Sequence, residues 1–184
     1  MREKSIGRTY VAFVQGRLAK AKGRIDAPIG RDRHHPTRRR VSPTGESAVT
    51  LYERLETYPD AALVRLTLET GRTHQIRVHL SHLGHPLIGD ALYGGRRDAI
   101  GRQALHGEAL VFPHPFTNEP VAVSSPWPAD FGALQERLKK FVVMLLLPNP
   151  YTCCRGCYMT MRSSILLFLR EKEVIRKGGL NLGN

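Results

Sequence analysis

The chain has 184 residues, of which 41% are hydrophobic, so it is long enough to bury one core of domain size. Its formal net charge of +12 and pI near 10.2 favour a polyanionic partner such as RNA, DNA or an acidic membrane surface. Residues 1–20 carry charges throughout and the longest apolar run is residues 141–147, so we expect neither a signal peptide nor a membrane span.

The positive charge is concentrated at the start of the chain. Residues 1–40 hold 12 Lys and Arg against 3 acids, residues 41–140 hold 10 against 11, and residues 141–184 hold 6 against 2. An RNA-facing element would give this distribution, although charge alone is explained equally well by a solvated basic face without a partner. The three cysteines lie within residues 153–157, too few and too clustered for a disulfide framework, so we expect a reducing, cytoplasmic location.

The first part of the chain predicts strands separated by turns. Residues 8–16 are β-branched and aromatic and end in glycine, which indicates a strand, and residues 23–28 indicate a shorter one. The stretch 30–40 contains no apolar residue, so we expect an exposed loop or ribbon tip. Alternating polar and apolar residues predict two further strands, 47–56 and 63–69, joined by a turn at 58–60.

A helix is predicted next. Gly71 breaks the preceding strand, and Thr73 could cap a helix over residues 74–83 whose apolar side chains recur with helical spacing. Gly84 would end this helix.

The remaining elements are a strand at 121–124 and an amphipathic helix over 129–140. Together the elements predict an α+β fold, a mixed and mostly antiparallel sheet with flanking helices. Residues 1–140 would form this domain, while residues 141–184 change in style to Met, Leu and Cys and are expected to be a poorly ordered tail.

The segment Thr70–His79 carries the most chemistry. Gly71 would let the chain turn sharply and deliver the following residues to a helix N-terminus, where free N–H groups and the helix dipole favour an anion. Arg77, one turn further, can bind a carboxylate or phosphate as a planar fork. The pattern indicates a phosphate- or carboxylate-handling site.

The string GRTHQIRVH, followed by LGHPLIGDALYGG, resembles the signature of RluA/RluD-type pseudouridine synthases that modify large-subunit ribosomal RNA. Residues 8–16 resemble the family's active-site tyrosine segment, and residues 25–31 with the basic stretch that follows resemble its RNA-gripping loop. Residues 104–106 and 114–115 also fit. The similarity covers about residues 5–138.

The resemblance implies an isomerase that breaks the uracil–ribose C–N bond of a flipped uridine, turns the base and rejoins it through C5, without cofactor or metal. Tyr10 would stack on the uracil and act as, or near, the base that removes the C5 proton, while Arg77 would pair with the catalytic aspartate and hold it ionised. The implied partner is RNA, with ribosomal RNA expected, and the family is mostly monomeric. Backbone phosphates would be bound by the basic stretch, through Arg31, Arg33, Arg38, Arg39 and Arg40. The target nucleotide would be contacted by the helix end, through Arg72, His74 and Gln75.

One departure from the family bears on activity. The family's catalytic aspartate lies in a His-Arg-Leu-Asp motif upstream of the tyrosine strand, and that string does not occur in these residues. Asp32 lies in the basic loop, and Asp90 is expected to bond turn amides, so neither matches the missing position. We therefore expect the chain alone to be inactive. Three alternatives stay open: a synthase or most of one, an RNA-binding remnant, and an unstable gene fragment with an altered reading frame at its end.

The histidines at positions 74, 79, 82 and 85 could suggest a metal site. No Cys, Asp or Glu joins them within the helix, so ordinary polar or RNA contacts are expected instead and no metal is assigned.

Overall fold

The computed structural model describes residues 6–97 and 99–146, the last five of them by backbone alone. The described residues form eight strands and two α-helices, with one short 3₁₀ turn at Ala91–Tyr93. The strands and helices are β1 Gly7–Gln15, β2 Lys22–Asp26, β3 Ile29–Arg31, β4 Arg39–Val41, β5 Val49–Thr57, β6 Ala61–Leu68, α1 Gln75–His82, β7 Leu105–Pro113, β8 Pro120–Ser124 and α2 Ala129–Leu146.

Six strands form one sheet in the order β2-β5-β6-β1-β7-β8, and each described pairing is antiparallel. Strand β1 lies inside the sheet between β6 and β7. Its side chains alternate between the two faces, as a strand requires: Tyr10, Ala12 and Val14 lie on one face, Val11 and Phe13 on the other. The predicted α+β fold with a mostly antiparallel sheet is confirmed.

Each face of the sheet has its own apolar core and its own helix. Ile76 and Leu80 of α1 pack on the face that carries Tyr10. On the opposite face, α2 packs around Phe13 through the three apolar side chains that the sequence predicted, Phe131, Leu134 and Leu138. Because the two faces are covered by different helices, the side of the sheet that carries Tyr10 is also the side that carries the Thr70–His79 segment.

Strand β7 was not predicted, and a bulge explains why. Thr9 of β1 pairs with Ala109, but Tyr10 pairs with Gly107, so Glu108 is an extra residue on β7. The bulge interrupts the two-residue alternation by which strands are recognised, and a glycine stands beside it. Gly107 leaves space over the Tyr10 ring, since a Cβ there would lie 3.7 Å from Tyr10 Cε1.

The basic stretch forms a ribbon separate from the main sheet. Strands β3 and β4 pair with each other, Ile29 of β3 also forms an isolated bridge with Glu46, and residues 32–38 form the tip. This agrees with the predicted exposed loop or ribbon tip. Ile29 anchors the ribbon in a small cluster with Ala48, Val78 of α1 and Tyr93.

The sheet belongs to the compact unit formed by residues 1–144. The predicted change at residue 141 falls within α2, which continues to Leu146, and residues 147–184 lie outside the described part of the chain, so the order of the tail stays a prediction. Among residues 6–97 and 99–146, no helix combines the length and hydropathy needed to cross a membrane.

Candidate nucleotide-binding site

Helix α1 begins at a residue in the left-handed region. His74 precedes the helix with φ 57°, and no side chain caps it, so the prediction that Thr73 is the N-cap was wrong. The start is organised instead by Gln75, whose side-chain oxygen accepts hydrogen bonds from the Arg72 N–H and the Thr70 hydroxyl, both at 2.9 Å. A side chain within the first turn thus does the work expected of a cap.

Gln75 is directed into the protein. Its side chain is 2% exposed, and its amide nitrogen donates to the Val49 carbonyl and the Thr50 hydroxyl of β5. All of its polar atoms are therefore used in fastening α1 to the sheet. The predicted direct contact of Gln75 with RNA is contradicted by this placement, and its role is to position the helix.

Gly71 does not adopt a left-handed conformation, and the group nearest to it is the movable end of the Arg8 side chain. A Cβ at Gly71 would lie 2.5 Å from a guanidinium nitrogen of Arg8, which occupies the space over the glycine. Arg72 is held against the 46–47 loop, where its guanidinium donates to the Ser47 carbonyl and pairs with Glu46 at 2.8 Å. The side chain of Glu46 is largely exposed, so this ion pair leaves Arg72 at the surface, where RNA can reach it.

Arg77 makes the predicted fork, with Asp90 as its partner. Its Nε and Nη2 donate to the two oxygens of Asp90 at 2.7 and 2.8 Å. The Asp90 side chain is 1% exposed and that of Arg77 is 16% exposed. This corrects the expectation that the Asp90 carboxylate bonds turn amides: only its backbone carbonyl does so, accepting from Gly95 and Tyr93. The hydrogen bonds to Asp90 raise the pKa of Arg77, so this guanidinium is a fixed positive charge.

Tyr93 lies at the centre of the polar cluster, with its ring 4% exposed. Its hydroxyl accepts a hydrogen bond from the Arg39 N–H at 2.9 Å and lies 2.9 Å from His74 Nδ1. The guanidinium carbons of Arg77 and Arg38 lie 4.8 and 5.7 Å from the ring centroid. Burial, followed by the positive charge of Arg77, lowers the pKa of His74, so the ring is neutral at physiological pH.

The ribbon presents its basic side chains to solvent. Arg39 is half-buried because its backbone bonds Tyr93, whereas the other predicted arginines are exposed. Asp32 stands at the tip, where it accepts the His34 N–H and lies 3.8 Å from Arg38. The tip therefore carries several cations and one carboxylate, which suits contact with backbone phosphates. The exposed arginines are Arg31, Arg33, Arg38 and Arg40.

A cavity of about 510 Å³ opens beside the Arg77–Asp90 pair. Arg77, Arg97 and Arg102 are in its wall, with Asp90 as a carboxylate among them. Gln103 also lines it, and Leu105, two residues along, packs in the core that Tyr10 borders. The cavity also reaches Ile100, which belongs to the core beneath α2. Tyr10 and α1 lie on one face of the sheet because Tyr10, Ile76 and Leu80 pack in the same core, as the predicted site requires. Of the arginines in the cavity wall, Arg77 is paired with Asp90 and Arg102 with Asp130.

His79 is the most deeply buried histidine of the helix. Its two ring nitrogens bond the Thr50 hydroxyl and the Ala27 carbonyl, each at 2.9 Å, and burial lowers its pKa. Both nitrogens are used inside the protein, so His79 fastens α1 to β5 and is not placed as a metal ligand.

Comparison with known proteins agrees with this geometry. The sequence profile of the family described as RNA pseudouridylate synthase matches residues 1–82. Ribosomal large subunit pseudouridine synthase D of Vibrio parahaemolyticus is 42% identical over 165 residues. The aligned three-quarters of the chain is similar to RluA/RluD-type pseudouridine synthases. The RNA pseudouridine synthase YhcT of Bacillus subtilis is 52% identical over 136 residues.

These relatives are longer than the chain. The alignments cover 73% of this chain and 45% of YhcT, and 82% of this chain and 50% of the Vibrio enzyme, so the chain spans about half the length of the curated relatives it matches. Among solved structures, human RNA pseudouridylate synthase domain containing 1 superposes with a TM-score of 0.63 at 28% identity, covering 81% of this chain and 69% of that one. The pseudouridine synthase fold therefore holds for most of the described residues.

Two residues of this candidate site were not predicted from the sequence. Asp90 was assigned to a turn and Tyr93 was given no role, although both belong to the quoted signature. The only sign of them in the sequence was their place in that signature, since it is the 3₁₀ turn in the structure that brings both residues back to Arg77.

Proposed function

We propose that this chain supplies the RNA-binding and arginine-bearing part of a pseudouridine synthase that acts on uridine in structured RNA, with large-subunit ribosomal RNA as the substrate. The observation that carries the proposal is the Arg77 fork, held by a buried carboxylate at the edge of a cavity lined by three arginines, on a helix that packs on the Tyr10 face of the sheet. The name of the Vibrio relative supports the choice of ribosomal RNA.

Each group has a place in this proposal. The target uridine must leave its stem, since the bond to be broken is hidden in a stacked duplex. The exposed arginines of the ribbon hold backbone phosphates, which provides affinity without sequence choice. Tyr10 offers its ring to the flipped uracil, and Arg77 provides the fixed positive charge beside the nucleotide.

Bond breaking requires a carboxylate that can reach the nucleotide, and the acids described near the site are committed elsewhere. Asp90 is buried and gives both oxygens to Arg77, while Asp32 lies at the ribbon tip beside Arg38. With no His-Arg-Leu-Asp string in these 184 residues, we propose that they bind RNA without isomerising uridine on their own.

A pair of charge-matched variants tests RNA binding. Arg40→Gln removes an exposed ribbon cation, and Lys139→Gln removes a partly exposed cation, paired with Glu136, from α2 on the other face. Against a ribosomal RNA stem-loop, we expect Arg40→Gln to weaken binding severalfold and to lower the slope of log K against log salt by about 1. Lys139→Gln should bind as the wild type does. Equal effects of the two variants would show that the ribbon is not the binding surface.

Tritium release from RNA labelled at uridine C5 tests the catalytic half of the proposal. The purified chain should release none above background, while a full-length RluA/RluD-type synthase assayed in parallel should release tritium. Turnover by the chain would disprove the proposed inactivity. RNA binding without tritium release favours the RNA-binding remnant. Failure of the wild-type chain to bind any RNA stem would exclude both the synthase and the RNA-binding remnant.

A further inference from the structure

Tyr93 connects two parts of the molecule that the sheet does not connect. The ribbon is a separate two-stranded sheet, and so short a ribbon is only marginally stable unless other groups hold it. Ile29 holds the end far from the tip, through the cluster that contains Val78 and through a backbone bridge to Glu46. Near the tip, the contact with the body of the protein runs through Tyr93, which binds the backbone of Arg39.

The hydrogen-bonding pattern shows why the Tyr93 hydroxyl is needed there. The Asp32 N–H donates to the Arg38 carbonyl and the Ser42 N–H donates to the Pro28 carbonyl, so the N–H of Arg39 falls between bonded pairs and points away from β3. The Tyr93 hydroxyl accepts it. Without this acceptor, Arg39 would present an unpaired donor at a half-buried edge.

The same hydroxyl also reaches the start of α1. A tyrosine hydroxyl has one proton, and because it accepts from Arg39 it can donate to His74 Nδ1 at 2.9 Å. This arrangement needs a neutral His74 with its proton on Nε2, in agreement with the lowered pKa of His74. Beneath the hydroxyl, the ring packs against the Arg77 guanidinium, so one side chain contacts the ribbon, the helix start and the arginine fork.

We propose that Tyr93 is a positioning residue that sets the basic ribbon in register with Arg77, so that phosphates held by the ribbon place the target nucleotide at the arginine. This inference rests on the proposed function. It assigns to Tyr93 no direct contact with the nucleotide, because its ring is buried beneath Arg38 and Arg77.

Tyr93→Phe removes the hydroxyl and keeps the ring. A matched control exists in Tyr58→Phe: Tyr58 is also 4% exposed and also donates a hydroxyl hydrogen bond, to Glu56, but it packs on Phe13 on the opposite face. Each variant loses one hydroxyl from a buried ring. A general loss of stability should therefore appear in both variants, whereas a positioning effect should appear only in Tyr93→Phe.

RNA titration with a ribosomal stem-loop at several salt concentrations measures the effect on binding. We expect Tyr93→Phe to bind RNA about fivefold to tenfold more weakly, which corresponds to the net contribution of about one hydrogen bond. Its slope of log K against log salt should be shallower by about 1, because a displaced ribbon makes fewer phosphate contacts. Tyr58→Phe should match the wild type in both. If Tyr93→Phe keeps the wild-type affinity and slope, the proposal is wrong.

Amide hydrogen exchange tests the connection without RNA. The Arg39 N–H should be protected in the wild type and in Tyr58→Phe, and should exchange at least about tenfold faster in Tyr93→Phe. Unchanged protection of Arg39 would overturn the role of Tyr93 whatever the RNA result. If the Arg39 N–H exchanges faster in Tyr93→Phe but the wild-type chain binds no RNA, the result would instead reject the proposed function, and with it the link to the nucleotide.

Discussion

Replacing Asp90 with Asn should destabilise the protein strongly. The substitution keeps the shape of the side chain but leaves Arg77 facing a neutral amide whose NH₂ group points donor to donor at the guanidinium. Breaking a buried ion pair from one side costs about 3–5 kcal/mol, and we expect about 3 kcal/mol here because 16% of the Arg77 side chain stays exposed. For a domain of this size, that free energy lowers Tm by roughly 10 °C.

The matched control is Asp130→Asn. Asp130 also forms a two-pronged pair with an arginine, Arg102, at 2.7 and 2.9 Å, but these side chains are 39% and 43% exposed. Water can solvate Arg102 once its partner is gone, so the loss should be a small fraction of that for Asp90→Asn. Urea unfolding of the three proteins at neutral pH measures both. Equal losses would refute the reasoning, since burial is the main difference between the two pairs.

Two further predictions concern backbone geometry and pH. Gly89 and Gly84 both have φ +81°, but a Cβ on Gly89 would collide with the Arg102 carbonyl whereas Gly84 has open space around it. In urea unfolding, Gly89→Ala should therefore lower the free energy of unfolding by well over the roughly 1 kcal/mol expected for Gly84→Ala. Similar losses for the two variants would contradict this. Burial lowers the folded-state pKa of His79 below its usual 6.5, so the unfolded chain takes up the proton first: the stability due to His79 is complete above that pH and is lost as the pH falls below it. The urea midpoint of the wild type should therefore drop more between about pH 7.5 and about pH 5 than that of His79→Gln, and parallel drops would exclude His79 as the cause.

The sequence was informative where periodicity is regular. Strands β5 and β6 alternate cleanly, and the apolar positions of α2 recur with helical spacing, so their positions and buried faces could be predicted. The signature residues around Arg77 also identified the family before the fold was known. Local rules and the tertiary structure agree in these segments, because one face of each is in the core.

The rest depended on contacts between residues distant in sequence. A cap at Thr73 was reasonable from composition, but Gln75 bonds β5 and His74, in the left-handed region, precedes the helix instead. The Arg77–Asp90 pair joins residues 13 positions apart across a loop, and no spacing rule predicts such a pair. The bulge at Glu108 is likewise visible only when β7 is laid against β1.

The alternation of β1 has a consequence for how the site can change. Tyr10 faces the side of the sheet that α1 covers because Val11 and Phe13 are buried in the core beneath α2. A single residue inserted or deleted between them would turn the ring to the wrong side of the sheet and expose a core phenylalanine at once. The orientation of Tyr10 is therefore coupled to the burial of Phe13, so a slip that turned the tyrosine ring would also destabilise the fold.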